Sequence, residues 1–434
     1  MIHPTYYGTF HMTLLSFAKK FHRNFSIAIF TLALCTCWVM ENSNVLSAAE
    51  KVKLNDGERI VWLGNTLVER DQAYGYWETV LTCRHPKQSV VFRNLGWSGD
   101  TVFGHARAGF GSVEDGFREL KQQVESQKPT LIFVAYGMNE SFAGEAGLPQ
   151  FREGMKRLLD TLAATKARLV LVTPNPHENL GAPLPDPSTH NQQLAVYAQA
   201  IRETADARKL PVVDLLTLFG GGSPGVVEHP LTDNGIHFTQ AGYWRFAAVM
   251  EQGLNLPPPV WQVELDLMQG KKTTEGTELS SLESMPRFAK FTLLDSRLPW
   301  PAPPSGTPAE LLTQTAARLL KVKGLRTGKY TLKIDGQTVA QGTADEWATG
   351  KQITRGPEFD QVEKMRQTIV DKNSQFFYRW RPQNWTYLFG FRKHEQGQNA
   401  AEIPQFDPLI SKAEATISHL SQPVEHTYTL LPAE

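Results

Sequence analysis

Between residues 53 and 250, short apolar runs alternate with longer amphipathic segments. The runs at 59–63, 90–94, 131–136, 169–173 and 211–214 have the length and composition of strands. Residues 131–136 are apolar at every position, as a parallel strand covered by helices on both sides requires. The segments at 77–82, 113–126, 148–164, 191–208 and 240–251 predict the intervening helices. Repeated strand and helix alternation of this kind predicts an α/β domain of three layers, α/β/α, on a parallel sheet with right-handed crossovers.

After Gly253 the pattern changes. Proline-rich stretches at 256–260 and 299–308 cannot continue a helix and read as linkers or irregular wraps. Strand-like segments follow at 260–267, 288–294 and 319–323. A clearer hairpin comes after them, in which Tyr330, Leu332 and Ile334 alternate with polar residues and Asp335-Gly336 supplies the turn. A small β unit is expected here, then a helix over 358–380 and an aromatic, arginine-rich stretch that predicts a clamp docking the tail onto the main domain. Three segments result: a signal peptide at 1–49, an α/β domain at 50–253 and an accessory C-terminal region at 254–434.

The first segment rests on its own order of residues. Lys19, Lys20, His22 and Arg23 precede an apolar run at 25–40, and Ser47, Ala48 and Ala49 follow a polar patch. That order predicts export, to the periplasm or the exterior, with cleavage near Ala49. The alternative is an uncleaved anchor, although the run is short for roughly 30 Å of hydrocarbon. Cleavage leaves Cys83 as the lone cysteine, so no internal disulfide can form and stability must come from packing. Lys plus Arg and Asp plus Glu both total 44, which removes any bulk field for nucleic acid or acidic lipid. The histidines show no zinc-ligand spacing, and neither a metal nor another cofactor is expected.

Four short pieces lie at the carboxyl ends of predicted strands or before the last helix: LGNT at 63–66, NLGWSGDT at 94–101, YGMNES at 136–141 and LTDNGIHFTQAGY at 231–243. In an open parallel sheet such loops converge on one edge, where ligands bind. The Thr66 hydroxyl, just after a strand and a glycine, fits either an exposed nucleophile or a helix N-cap. Ester cleavage needs a nucleophile, a base and donors aimed at the developing oxyanion. Thr66, His237, the Asn139 amide and the backbone N–H groups of Thr66 and Gly99 have the right chemistry for these parts.

By order and spacing, the four pieces resemble those of the SGNH hydrolases, the GDSL-type esterases and lipases, over roughly residues 55–250. The resemblance implies a flavodoxin-like fold, with Thr66 in the place of the nucleophilic serine and Asn65 in that of the usual aspartate. Gly99 and Asn139 match the oxyanion-hole residues, and His237 matches the base. Two departures stand out. Thr66 carries a methyl that restricts χ1 and crowds the substrate carbonyl. Asn234 stands where an aspartate normally orients the histidine, and it brings no charge. Asp233, one residue earlier, either reaches His237 instead or serves an ordinary turn before Gly235.

Other candidates have plainer readings. Ser98 is a turn residue in a poor G-x-S-x-G match, and Glu140 holds loops together. His177 and His190 flank a proline-rich loop, either as a substrate rim or as surface histidines without function, and Trp97 and Tyr136 belong to the core or the cleft wall. Two functions follow. One is an exported hydrolase of carboxylic esters, acyl or acetyl, on a small molecule or polysaccharide, by an acyl-enzyme route. The other is a weakened module that binds glycan or protein.

Overall fold

The computed structural model describes residues 52–222, 225–308, 318–395 and 399–433. The expected export signal and its cut near Ala49 lie outside them. Five parallel strands form the central sheet: β1 (Glu58–Gly64), β2 (Val90–Gly96), β3 (Leu131–Ala135), β4 (Arg168–Val172) and β5 (Val212–Val213), in the order β2-β1-β3-β4-β5. This is the doubly wound order whose chain reversal beside β1 opens a crevice at the strands' carboxyl ends.

The helices in sequence are α1 (Thr66–Asp71), α2 (Tyr76–Arg84), α3 (Val113–Ser126), α4 (Leu148–Ala163), α5 (Ser188–Arg208), α6 (Leu215–Leu218) and α7 (Gln240–Gly253). Alternating strand residues sort the helices to two faces. Ile60, Trp62, Phe133 and Val170 pack with residues of α2 and α7. Val61, Leu63, Ile132 and Leu171 pack with α3, α4 and α5. The three-layer expectation is met. Helix α1 was raised only through the N-cap reading of Thr66, because six residues are too few to display a 3.6-residue period.

The C-terminal region is larger in β structure than the small unit expected from the pattern. Strands β6 (Trp261–Asp266), β7 (Lys271–Glu275), β8 (Thr277–Met285), β9 (Phe288–Asp295), β10 (Arg318–Lys323), β11 (Lys329–Ile334), β12 (Gln337–Thr343), β13 (Lys351–Gln352) and β14 (Glu425–Pro432) build two sheets. Their orders are β13-β10-β6-β7 and β12-β11-β14-β9-β8. Val263, Leu265 and Val322 of the first share a core with Phe291, Leu332, Tyr428 and Leu430 of the second, which makes a β-sandwich.

Among the described residues four helices complete the region: α8 (Ala344–Thr349), α9 (Pro357–Trp380), α10 (Trp385–Leu388) and α11 (Phe406–Leu420). Strand β2 is an edge of the parallel sheet, and α9 lies against it. The buried Lys372 Nζ donates to the Phe92 carbonyl at 3.3 Å and to both Glu78 oxygens at 2.7 and 2.8 Å. Covering an edge in this way removes a template for unwanted strand pairing. The tail does dock by aromatics, with Trp380 edge-on to Trp97 at 5.8 Å and Arg381 over Trp97 at 3.8 Å. Trp385, Phe389 and Phe391 nevertheless remain exposed. Among the described residues no helix is long and apolar enough to cross a membrane.

Candidate active site

The turn after β1 settles which residue caps α1. Asn65 is the N-cap: its side chain accepts the Leu67 N–H at 3.2 Å, while Thr66 is the first helical residue. The Thr66 hydroxyl is therefore not spent on capping. It is half-buried and has no hydrogen-bond partner among the described residues.

The loop after β2 is tied to this turn. Trp97 N–H donates to the Gly64 carbonyl at 3.0 Å, and Ser98 N–H donates to Glu69 of α1 at 2.6 Å. Gly99 takes φ +77°, a left-handed conformation that disfavours any side chain, and nothing lies within 4 Å of where a Cβ would stand. Its N–H makes no backbone hydrogen bond among the described residues. The next residue, Asp100, is wholly buried and anchors the loop. Its carboxylate accepts from Arg107 Nε at 2.7 Å and the Tyr136 hydroxyl at 2.9 Å. Tyr136 is thus a buried anchor, not a cleft wall.

The loop after β3 joins the same group. Asn139 Nδ2 donates to the Asp100 carbonyl at 2.7 Å, which leaves its second amide hydrogen free. Glu140 accepts from Val102 N–H and from Gly137 N–H, each at 2.9 Å, and so ties the two loops. Burial pushes its carboxyl up to about 7.

The histidine loop reaches α1 from the other side. Asp233 forms an ion pair with Arg70 at 2.8 Å and makes no hydrogen bond to the His237 ring. Tyr243, in the following helix, donates its hydroxyl to the Leu67 carbonyl at 2.7 Å. Asn234 is the residue at the imidazole, with Nδ2 3.1 Å from His237 Nδ1. Its orientation follows from its other partners. Oδ1 accepts the N–H groups of Ile236 at 3.1 Å and His237 at 2.9 Å, so a flipped amide would set NH₂ against two donors. Nδ1 therefore accepts, and the neutral ring carries its proton on Nε2. Burial, then the nearby Arg70 guanidinium, lower the His237 pKa from the ordinary imidazole range, with Asp233 opposing. His237 and Thr66 make no hydrogen bond to each other.

Sequence reasoning missed Glu178. Its carboxylate accepts from Leu231 N–H at 3.0 Å and Thr232 N–H at 2.8 Å, and its own N–H donates to the Gly235 carbonyl at 2.8 Å. Gly235 has φ +83°, and a Cβ there would come 2.8 Å from the Glu178 carbonyl oxygen. Glu178 thus fixes the shape of the histidine loop, and a carboxylate in a proline-rich loop gives no local sign of that task.

Beside this loop, Phe142, His190 and His177 stack in a row, with ring centroids 4.0 and 4.7 Å apart. His177 is 5% exposed and its Nε2 is buried with no partner. Burial, then the charges of His190 and His237, lower its pKa to about 4, so the ring is neutral. Among the described residues no group of three or more His, Cys, Asp or Glu side chains converges as a metal would need.

Crevice, sheet order and four joined loops define a doubly wound α/β domain with a candidate site at the carboxyl ends of its strands. Residues 60–245 match the GDSL-like lipase/acylhydrolase family and form a GDSL-like domain. No curated protein matches the chain. Among solved structures, a gut microbial diltiazem-metabolizing enzyme aligns at 17% identity with a TM-score of 0.70, covering 89% of this chain and all 100% of its own. That breadth extends the shared fold into the C-terminal region. An acetylxylan esterase from Geobacillus stearothermophilus aligns at 17% identity and TM-score 0.36, covering 47% of this chain and 97% of its own. An alpha/beta hydrolase from the metagenome of Lake Arreo, Spain, aligns at 18% identity and TM-score 0.35, covering 46% and 97%.

Proposed function

We propose that the chain is an exported hydrolase of carboxylic esters, acyl or acetyl, carried on a small molecule or a polysaccharide. The observation that supports this reading most is the set of bonds joining the four loops: Trp97 to Gly64, Asn139 to Asp100, Arg70 to Asp233 and Tyr243 to Leu67. They support a reading in which a hydroxyl, an imidazole and amide donors meet at the carboxyl edge of the sheet. In the proposed route Thr66 Oγ1 attacks the ester carbonyl as His237 takes its proton. The oxyanion is held by the N–H groups of Thr66 and Gly99 and by Asn139 Nδ2. His237 returns the proton to the leaving alcohol, and water then releases the acid from Thr66. Export and a sequence with no formal net charge favour carbohydrate over lipid as the alcohol part.

Asn234 favours a second reading, a module that binds its ester with little turnover. An imidazole that accepts at Nδ1 offers an N–H, not a lone pair, to the nucleophile. Hydrolysis of a short-chain aryl acetate separates the two. Thr66→Ala and His237→Ala are each expected to abolish the catalysed rate, and Thr66→Ser to raise it by removing the crowding methyl. Equal rates for the wild type and His237→Ala would overturn the hydrolase reading in favour of the module.

A further inference from the structure

We propose that a pocket between the parallel-sheet domain and the C-terminal helices binds a planar aromatic carboxylate. It has a volume of about 530 Å³, within the range of small-molecule sites. Arg59 and Arg93 line one wall, and Phe376, Arg379, Trp380 and Trp385 line the other. The proposal does not depend on the ester-hydrolase reading. Arg59 is the second residue of β1, whereas Thr66 follows that strand's carboxyl end, so the two sites lie toward opposite ends of the sheet.

Charge accounting in the walls singles out one cation. Arg93 is paired with Glu414 at 2.5 Å, and Arg379 grips Asp407 at 2.8 and 3.2 Å. Arg59 only donates Nε to the Gln127 carbonyl at 2.8 Å. Its terminal nitrogens have no partner among the described residues, and no carboxylate comes within ion-pair distance. Burial, then the neighbouring Arg93, disfavour its charge, Glu414 offsets them in part, and an incoming anion would add to that offset. A second donor is also unanswered, the indole N–H of Trp380, which is buried without an acceptor.

Shape supplies the rest of the ligand's description. Trp380 offers aromatic surface inside, beside a Phe376 ring that Arg93 already faces at 5.0 Å, and Trp385 leaves 54% of its area to solvent at such a wall. Flat faces of this kind favour a ring, and a guanidinium fork fits a carboxylate through two parallel hydrogen bonds. An anion without a ring would use Arg59 alone, and a ring without a charge would leave Arg59 unanswered.

The test is calorimetric titration of the whole protein with p-coumarate, p-coumaramide and inorganic phosphate. Wild type, Arg59→Gln and Trp385→Ala are compared, with aryl acetate hydrolysis measured on each. Expected are saturable binding of p-coumarate, binding of the amide or of phosphate weaker by about tenfold or more, and a similar loss in either variant. Hydrolysis is expected to be unchanged by the substitutions and by bound p-coumarate. Trp385 is exposed, so its replacement keeps the test valid even if Arg59→Gln impairs folding. No saturable binding by the wild type would overturn the proposal. So would equal binding of acid and amide, phosphate binding as well as p-coumarate, or variants indistinguishable from wild type.

Discussion

Replacing Asn234 with aspartate should turn a poorly prepared imidazole into a competent base. The Asn234 amide donates to His237 Nδ1 at 3.1 Å and is held in that orientation by two backbone N–H groups. For Nε2 to accept the Thr66 proton, the ring must move its own proton to Nδ1. That gives up one neutral hydrogen bond, about 1 kcal/mol, and opposes two donors, about 1–3 kcal/mol. The sum of about 2–4 kcal/mol corresponds to roughly 30- to 1,000-fold in rate at 1.36 kcal/mol per decade. Asn234 is exposed, so water shares the bond and the lower part of that range applies. Asn234→Asp keeps both backbone acceptor roles and accepts from Nδ1–H, which frees Nε2. Its charge also stabilises the imidazolium formed during attack. The readout is kcat/KM for aryl acetate hydrolysis at neutral pH, with circular dichroism as the folding control. A folded Asn234→Asp variant no faster than wild type would refute the tautomer argument.

Three further outcomes are expected. Because burial and Arg70 lower the His237 pKa, the ascending limb of kcat/KM against pH should lie below the usual imidazole range. Arg70→Gln should move that limb to higher pH and Asp233→Asn to lower pH. Burial, reinforced by the Glu78 charge, pushes Asp71 from 3.8 up to about 7, so the folded protein holds a proton that the unfolded chain releases. The stability this proton confers is full below 3.8 and lost as pH rises through about 7. In chemical melts, Asp71→Asn should therefore gain on wild type across that window by up to about 1.4 kcal/mol per pH unit. Finally, Lys372→Met should cost about 3–5 kcal/mol in urea unfolding, because it strands the buried Glu78 carboxylate, and pairing it with Glu78→Gln should recover part of the loss.

The parallel sheet was legible because each strand announces itself by a run of apolar residues, and residues 131–135 are buried at every position. The sandwich was under-read for the opposite reason. Strands β7 and β8 carry Lys, Thr, Glu and Ser on largely exposed faces, so they have little hydrophobic period to read. Strand β14 finds its place between β9 and β11 from more than 90 residues beyond β11, a pairing that only tertiary structure reveals. At the site, the residue types and their order could be read along the chain, but their partners could not. The choice between a capping and a free Thr66 depended on Asn65 claiming the cap. Whether Asp233 or Asn234 met His237 depended on the turn through Gly235 and on Arg70, brought in from 163 residues away. Glu178 acts through four groups supplied by a distant loop, the Leu231 and Thr232 N–H groups, the Thr232 hydroxyl and the Gly235 carbonyl, and no spacing in its own segment encodes them.

The account rests on Thr66 as the atom that carries the acyl group. The most direct measurement is mass spectrometry of the protein quenched during turnover of an aryl acetate, with the modified peptide sequenced. The account predicts one acetyl group on Thr66, absent from Thr66→Ala and not forming in His237→Ala, which lacks the base for attack. Acetylation of Ser98 or another residue that leaves Thr66→Ala fully active would contradict it.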